Sequence, residues 1–291
     1  MLPIIFIHNR NNDYLSISLW KVRQTNPDSE IILIGDSQNA HFGMMVTHVQ
    51  KKQFSRGADQ LARQFVNFST NPHDFELICL QRWMILEEYM KAKGMDACLY
   101  IDSDVLLFDD VSGDAKRFSS FGMTVAGISG HTNFINRLDV LSRFCRFIHL
   151  AYQDEKAIAR LRERYDIFRL THPAGGISDM TFFTDFRESH PDMVLDIGVP
   201  NEEKMFDITI TYTKDVEAEN GLKRIYFETG RPFVNGSNGL KIEMRSLHFQ
   251  GDSKQYMLQM AAIEDFTFKI LYAANRILVL IQKVLNKFFK K

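Results

Sequence analysis

Two short apolar runs frame the first 36 residues: Ile4-Ile5-Phe6-Ile7 and Ile31-Ile32-Leu33-Ile34. Polar residues close each run, His8 to Asp13 after the first and Gly35-Asp36 after the second. Such runs predict buried strands. Between them Tyr14, Leu15, Ile17, Leu19 and Val22 recur at mixed helical spacing, closed by Asn26-Pro27-Asp28. Strand, helix and strand in so short a span form a β-α-β unit. That unit commits the chain to a parallel sheet covered by helices.

The rest of the chain extends this pattern. Residues 57–69 and 74–93 read as helices, the second with Asn71 as N-cap, Pro72 at its first position and a stop at Lys93-Gly94. Ala97–Ile101 and Met123–Ala126 are the next buried strands, and 135–165 is mostly helical. A loop with Pro173 and Gly175-Gly176 leads into the apolar segment Met180–Phe186. From Val194 to Lys254 the pattern is β-rich, with strands expected at Ile208–Thr211, Ile225–Phe227 and Ser246–Phe249 and turns at Asn235-Gly236 and Asn238-Gly239. No internal repeat or low-complexity linker divides the 291 residues, so the expected layout is a body over 1–263 and a helix over 264–291.

Charge and cysteine content exclude several classes. Lys+Arg number 35 against 36 Asp+Glu, a net charge of −1 that gives no drive toward nucleic acid. Three cysteines without a C-x-x-C pair indicate neither a disulfide framework nor a thiolate zinc site. The first residues show no basic n-region and no cleavage site, so the expected location is the cytoplasm.

Asp102-Ser103-Asp104 lies between apolar Leu99-Tyr100-Ile101 and apolar Val105-Leu106-Leu107-Phe108. Carboxylates two apart, just past a buried parallel strand, sit where open α/β sheets bind ligands. Oxygen ligands of this kind suit a hard divalent cation that keeps positions open for phosphate oxygens. The alternative is a solvated turn, against which the apolar flanks on both sides argue.

Leu99 to Leu106 resembles the Tyr-Leu-Asp-x-Asp-x-x-Val segment of the GT-A nucleotide-sugar glycosyltransferases. His248-Phe249-Gln250-Gly251-Asp252-Ser253-Lys254 resembles the His-Phe-x-Gly-x-x-Lys motif of the retaining family 8 (glycogenin and galactosyltransferase-like) members. Asp104 and His248 stand 144 positions apart, in the family's order. The resemblance implies an α/β, Rossmann-like GT-A fold with a mixed, mostly parallel sheet flanked by helices. It implies Mn²⁺ or Mg²⁺ held by Asp102, Asp104 and His248, with Gly251 and Lys254 approaching the donor diphosphate. A neutral imidazole beside two carboxylates suits Mn²⁺ better than Ca²⁺, glycine lets backbone N–H groups approach phosphate, and lysine supplies a point charge to it.

The same resemblance implies transfer of a hexose-type sugar from a nucleotide (UDP) sugar to a glycan or lipid-linked acceptor, with retention. In that fold the ends of the first two strands surround the nucleobase and ribose, which nominates His8, Asn9, Arg10, Tyr14 and Asp36, together with Ser103, for the donor; ordinary loop polarity is the alternative. Arg82 is expected near the first metal aspartate and the donor, or else as a snorkelling surface arginine. Asp179, in Ser178-Asp179-Met180 where the family carries Asp-Gln, is the candidate for contacting the transferred sugar, or else an N-cap. Two other classes stay open. A sugar-phosphate nucleotidyltransferase needs a Gly-rich loop after its first strand, and His8–Asp13 contains no glycine. A non-catalytic binding module would lose the metal residues.

The C-terminal segment stands apart in charge. Residues 264–291 hold six Lys/Arg and two Asp/Glu, net +4, which leaves −5 on residues 1–263. Lys269, Arg276, Lys283, Lys287 and Lys290 fall within an arc of roughly 60° opposite an Ile/Leu face. This is the signature of an interfacial helix over 266–291, peripheral on the inner face of a membrane. A helix packed on the body or on a second subunit of a homo-oligomer is the alternative.

Overall fold

The computed structural model describes residues 1–200, 203–263 and 265–288 and, of 285–288, the backbone only. In chain order the elements are β1 (Ile4–Ile7), α1 (Asp13–Thr25), β2 (Ile31–Gly35), β3 (Thr47–Gln50), α2 (Arg56–Gln64), α3 (His73–Lys93), β4 (Cys98–Ile101) and β5 (Val105–Leu107). They continue with α4 (Asp114–Arg117), β6 (Met123–Val125), β7 (Thr132–Ile135), α5 (Leu138–Ala151), α6 (Glu155–Arg169), α7 (Asp179–Ser189), β8 (Val194–Asp196) and β9 (Lys204–Phe206). A hairpin of β10 (Ala218–Glu219) and β11 (Leu222–Lys223) follows, then β12 (Tyr226–Glu228), β13 (Arg231–Asn235), β14 (Lys241–His248), α8 (Met257–Met260) and α9 (Phe266–Phe288).

The expected α/β class holds, and the chain forms two compact units. The first comprises Met1–Val49, Ile101–Gly113 and the chain from Ile197 onward. In it the strands run in the order β3-β2-β1, and β1 pairs with β2 in parallel from Ile4↔Ile31 to Ile7↔Ile34, as the β-α-β reading requires. A second sheet runs β12-β13-β14-β5, with β9 parallel to β14. Helix α1 packs against both β5 and α9, which explains its mixed spacing: Leu15, Ser16, Ile17, Ser18, Leu19, Lys21 and Val22 are all buried. Ser18 Oγ donates to the Val105 carbonyl at 2.6 Å, tying α1 to the short β5. Ile17, Leu106, Val234, Met244, Leu247, Phe249, Met257 and Phe268 belong to one apolar core.

The second unit comprises Gln50–Tyr100 and Asp114–Asp196. Its strands run β4-β7-β6-β8, with β6 antiparallel to β7 and parallel to β8. Trp83 of α3, Phe144 of α5 and Phe183 of α7 form its aromatic centre. The Phe144 and Phe183 rings stack at 4.3 Å, and Trp83 meets Phe183 edge-on at 4.9 Å.

Several expectations are corrected. Helix α2 ends at Gln64, because Phe65 is extended. Pro72 caps α3 from outside, so the helix starts at His73; Asn71 instead donates through Nδ2 to Glu76 Oε1 at 2.7 Å. The 135–165 helix is two helices, broken where Asp154 accepts the Ala157 N–H at 2.8 Å and starts α6. The apolar segment Met180–Phe186, to which the sequence assigns no element, lies within α7. Ile208–Thr211 forms no strand; it crosses the end of β14, where Ile210 N–H donates to the His248 carbonyl at 3.0 Å. Its apolar-polar alternation reflects that crossing.

Helix α9 is fastened to the first unit by a face that is partly polar. Phe268, Asn275 and Val279 are buried on it, with Phe268 5.5 Å from the Trp20 ring. Asn275 Oδ1 accepts from Asn11 Nδ2 at 2.8 Å and from His41 Nε2 at 3.1 Å. Lys290 and the side chain of Lys287, both counted above in the basic stripe, lie outside the described residues. Asn275→Ala leaves the buried Asn11 donor without its acceptor and is expected to cost about 1–3 kcal/mol. Urea unfolding checks this: the midpoint falls while the slope stays constant.

Candidate functional site

The antiparallel pairing of β14 with β5 closes the 144-residue separation between the two motifs. Ser246 pairs with Leu107, Leu247 with Leu106 and His248 with Val105. One residue further, Phe249 N–H donates to the Asp104 carbonyl at 2.9 Å. His248 Nε2 then lies 3.7 Å from Asp104 Oδ1, both side chains largely shielded from solvent. His248 Nδ1 meets the Ile208 carbonyl at 2.8 Å. A carbonyl only accepts, so Nδ1 carries a proton, and the ring thereby presents Nε2 to Asp104.

The strap that supplies this carbonyl is itself anchored. Asp207 accepts the His248 backbone N–H through Oδ2 at 3.0 Å, and its Oδ1 accepts from the Lys223 ammonium. Its own N–H donates to Ser246 Oγ at 3.1 Å. This ion pair is buried, with 3% and 0% side-chain exposure for Lys223 and Asp207. Sequence reading missed both residues. The signal available was a lone carboxylate inside Met205-Phe206-Asp207-Ile208, the same kind of apolar flanking that marks Asp102-Ser103-Asp104.

Lys254 follows on a short 3₁₀ turn, Gly251–Tyr256, and its Nζ lies 2.7 Å from Asp104 Oδ2 and 5.5 Å from the Tyr14 ring centre. Gly251 opens the turn at φ +62°, and a Cβ there would meet nothing within 4 Å. The glycine therefore serves its left-handed backbone and leaves its surroundings open. Burial, then the Asp104 and Asp102 carboxylates, push the Tyr14 phenol up, so it remains a hydrogen-bond donor.

The loops after β1 and β2 form the adjoining wall. Ser103 Oγ meets His8 Nδ1 at 2.8 Å, and Asn12 Nδ2 donates to His8 Nε2 at 3.0 Å, which assigns the His8 proton to Nδ1. Burial lowers the His8 pKa to about 4, against the opposing pull of Asp104, Asp36 and Asp102. Asp36 closes its own turn by accepting from Arg10 N–H at 2.6 Å and Gln38 N–H at 2.9 Å. Arg10 takes φ 66°, with its residue surface exposed, and Asn9 is half-buried.

The organiser of these loops is Asn39, which the sequence did not single out. Fully buried, it donates to the His8 and Arg10 carbonyls and accepts from Asp36 N–H and His48 Nε2, at 2.9–3.0 Å. Those four bonds use the whole capacity of its amide. Gly35 makes room for it: a Cβ there would lie 2.0 Å from Asn39 Oδ1.

In the second unit Arg82 and Asp179 come together. Arg82 Nη2 donates to Asp179 Oδ2 at 2.5 Å, and Trp83 Nε1 donates to the same oxygen at 3.2 Å. Arg82 Nη1 reaches the Tyr100 hydroxyl at 3.4 Å. Arg82 is therefore no snorkelling surface residue, with 13% of its side chain exposed against 5% for Asp179. Nor is Asp179 the cap of α7. Ser178 holds that position, its N–H donating to Thr181 Oγ1 at 3.2 Å, which leaves the Asp179 carboxylate to Arg82 and Trp83.

Among the described residues no set of three His, Cys, Asp or Glu side chains closes into a metal cage. The donor chemistry nonetheless fits a divalent cation: a carboxylate oxygen and the imidazole Nε2 face one another, and a second carboxylate stands two residues away.

No protein-family model and no curated protein matches the chain. Among solved structures it is similar to the apo form of mouse xyloside xylosyltransferase 1, at 8% identity over 66% of this chain and 83% of that one, with a TM-score of 0.47. It is similar to the galactosyltransferase LgtC in complex with donor and acceptor sugar analogs, at 11% identity over 92% and 99%, TM-score 0.46. A third is the glycosyltransferase GlyE of Streptococcus pneumoniae TIGR4, at 11% identity over 94% and 63%, TM-score 0.44. At these values the likeness assigns neither family nor activity.

Two outcomes test this geometry. Asp207→Ala strands a buried ammonium and is expected to cost about 3–5 kcal/mol, while Asp207→Leu with Lys223→Met recovers only part of it, since the buried His248 N–H still lacks its acceptor; thermal melts of the three proteins decide. His8 titrates near 6.5 when unfolded and at about 4 when folded, so the unfolded chain binds the extra proton between those values. Stability in metal-free buffer is therefore expected to fall as pH drops from about 6.5 toward 4, and His8→Gln to flatten that slope in denaturant titrations.

Proposed function

We propose that the chain is a metal-dependent glycosyltransferase that moves a hexose-type sugar from a UDP-linked donor to a glycan or glycolipid acceptor, with retention. The observation that carries the reading is the contact of Asp104 with both His248 and Lys254, which joins the two motifs on which the resemblance rests. In this reading Asp102, Asp104 and His248 hold Mn²⁺ or Mg²⁺, which when bound supplies neutralising charge to the donor diphosphate. His8, Asn9, Arg10, Tyr14, Asp36 and Ser103 line the base and ribose.

Lys254 has the central electrostatic part. Its ammonium, held on Asp104 without donor, turns to the leaving phosphate, where negative charge develops as the glycosidic bond breaks. The open surroundings of Gly251 let backbone N–H groups approach phosphate oxygens. Asp179, fixed by Arg82 and Trp83, offers its carboxylate to a sugar hydroxyl. For retention by front-face attack, the acceptor hydroxyl proton passes to the leaving phosphate oxygen.

Calorimetry with UDP and Mn²⁺ tests the reading, together with turnover of a nucleotide-sugar panel scored by released nucleotide. Asp104→Asn is expected to abolish Mn²⁺-dependent UDP binding, and Lys254→Ala to lower turnover about 100-fold. Unchanged binding and transfer in Asp104→Asn would overturn the assignment, and an inverted product anomer by NMR would overturn retention.

A further inference from the structure

Helix α9 meets the body with one face and leaves its apolar face outward. Phe268, Tyr272, Asn275, Val279 and Gln282 form the packed row, at helical spacing, and Gln282 Nε2 donates to the Gln38 carbonyl at 3.2 Å. On the opposite side Ile270, Ile277, Leu280, Ile281 and Val284 are exposed, Ile277 and Leu280 each to 59%. Lys269, Arg276 and Lys283 run between the two faces at seven-residue intervals, all exposed, with Arg276 Nε 3.7 Å from Asp13 Oδ2 of α1. The helix carries no Asp or Glu from Phe266 to Phe288.

Packing on the first unit thus leaves an apolar stripe uncovered, with a row of cations along one flank. Two occupants could cover such a stripe. A second copy, paired antiparallel about a twofold axis, would set Lys269, Arg276 and Lys283 against the same residues of its partner. Asp13 of α1 partly neutralises Arg276, and Lys269 of each helix still faces Lys283 of the other with no carboxylate on either helix, so that arrangement is repulsive. An anionic bilayer accepts both features at once: the acyl boundary takes the branched side chains and the headgroups take the cations. No helix among the described residues is long and apolar enough to cross a membrane, so the contact is parallel to the surface.

We infer that the outward face of α9 lies on an anionic lipid bilayer, with the packed face holding the body to it. This stands independently of the sugar-transfer reading. Full-length protein is sedimented with vesicles of phosphatidylcholine alone and with 30% phosphatidylglycerol. Binding is expected only to the anionic vesicles and to weaken with salt. Ile277→Ser with Ile281→Ser is expected to weaken it at least tenfold, and Lys269→Gln, Arg276→Gln and Lys283→Gln together about 100-fold, near fivefold per charge. All five residues are exposed, so melting temperatures should stay within a degree or two of the parent, which separates lost docking from lost folding. Absence of binding to anionic vesicles, or binding indifferent to both sets of substitutions, overturns the inference. So does a concentration-dependent dimer in sedimentation velocity that the isoleucine substitutions dissolve, since a second copy then covers the stripe.

Discussion

Backbone pairing between β5 and the last residues of β14 determines where almost every charged group of the candidate site lies. Strand β5 has three residues, too few to hold a register by itself, and it is fixed from several directions. Ser18 of α1 bonds the Val105 carbonyl, Phe108 N–H reaches the Arg245 carbonyl at 2.9 Å, and Phe249 N–H reaches the Asp104 carbonyl. Leu106 and Leu247, paired across the ladder, are both fully buried in the same core. A slip of one residue would turn these leucines out of that core and separate His248 from Asp104. The hydrophobic core therefore sets the polar geometry.

The charges so assembled balance locally. Asp104 has Lys254 on one oxygen and the His248 ring near the other, and Asp207 has Lys223. His8, close to three carboxylates, still stays neutral, because burial outweighs their attraction. The two ion pairs differ in kind. Lys223–Asp207 is sealed from water and has no room to exchange partners, whereas Lys254 keeps 29% of its side chain exposed and can turn toward an anion without unfolding anything. One pair builds the site and the other belongs to its working surface.

Much of this was legible in the chain. The runs Ile4–Ile7 and Ile31–Ile34 gave the parallel pair because a strand covered on both faces leaves no polar position. The apolar flanks of Asp102-Ser103-Asp104 marked a strand end for the same reason. What stayed hidden depends on contacts far apart in sequence. Ile208–Thr211 has a strand's alternation but spends its backbone on His248. Asn39 looks like any loop asparagine until the groups it joins are brought around it, and the apolar flanks of Asp207 mark its burial without pointing to Lys223 or His248. The two faces of α9 could be drawn on a helical wheel, yet only the structure tells which one packs, since the buried row mixes Phe268 with Asn275.

The carbonyl of Ile208 has one more consequence. It sets the tautomer of His248 through the main chain, and every residue type offers the same carbonyl at that position. Side-chain scanning at position 208 would therefore report a tolerant residue while the imidazole kept its orientation, whereas Ile210, fully buried in the core, would not tolerate truncation. Control of this kind is exposed only by perturbing the peptide unit itself, for example by an ester in place of an amide or a proline that redirects the strap. A position open to change can thus be one that fixes the chemistry of the site.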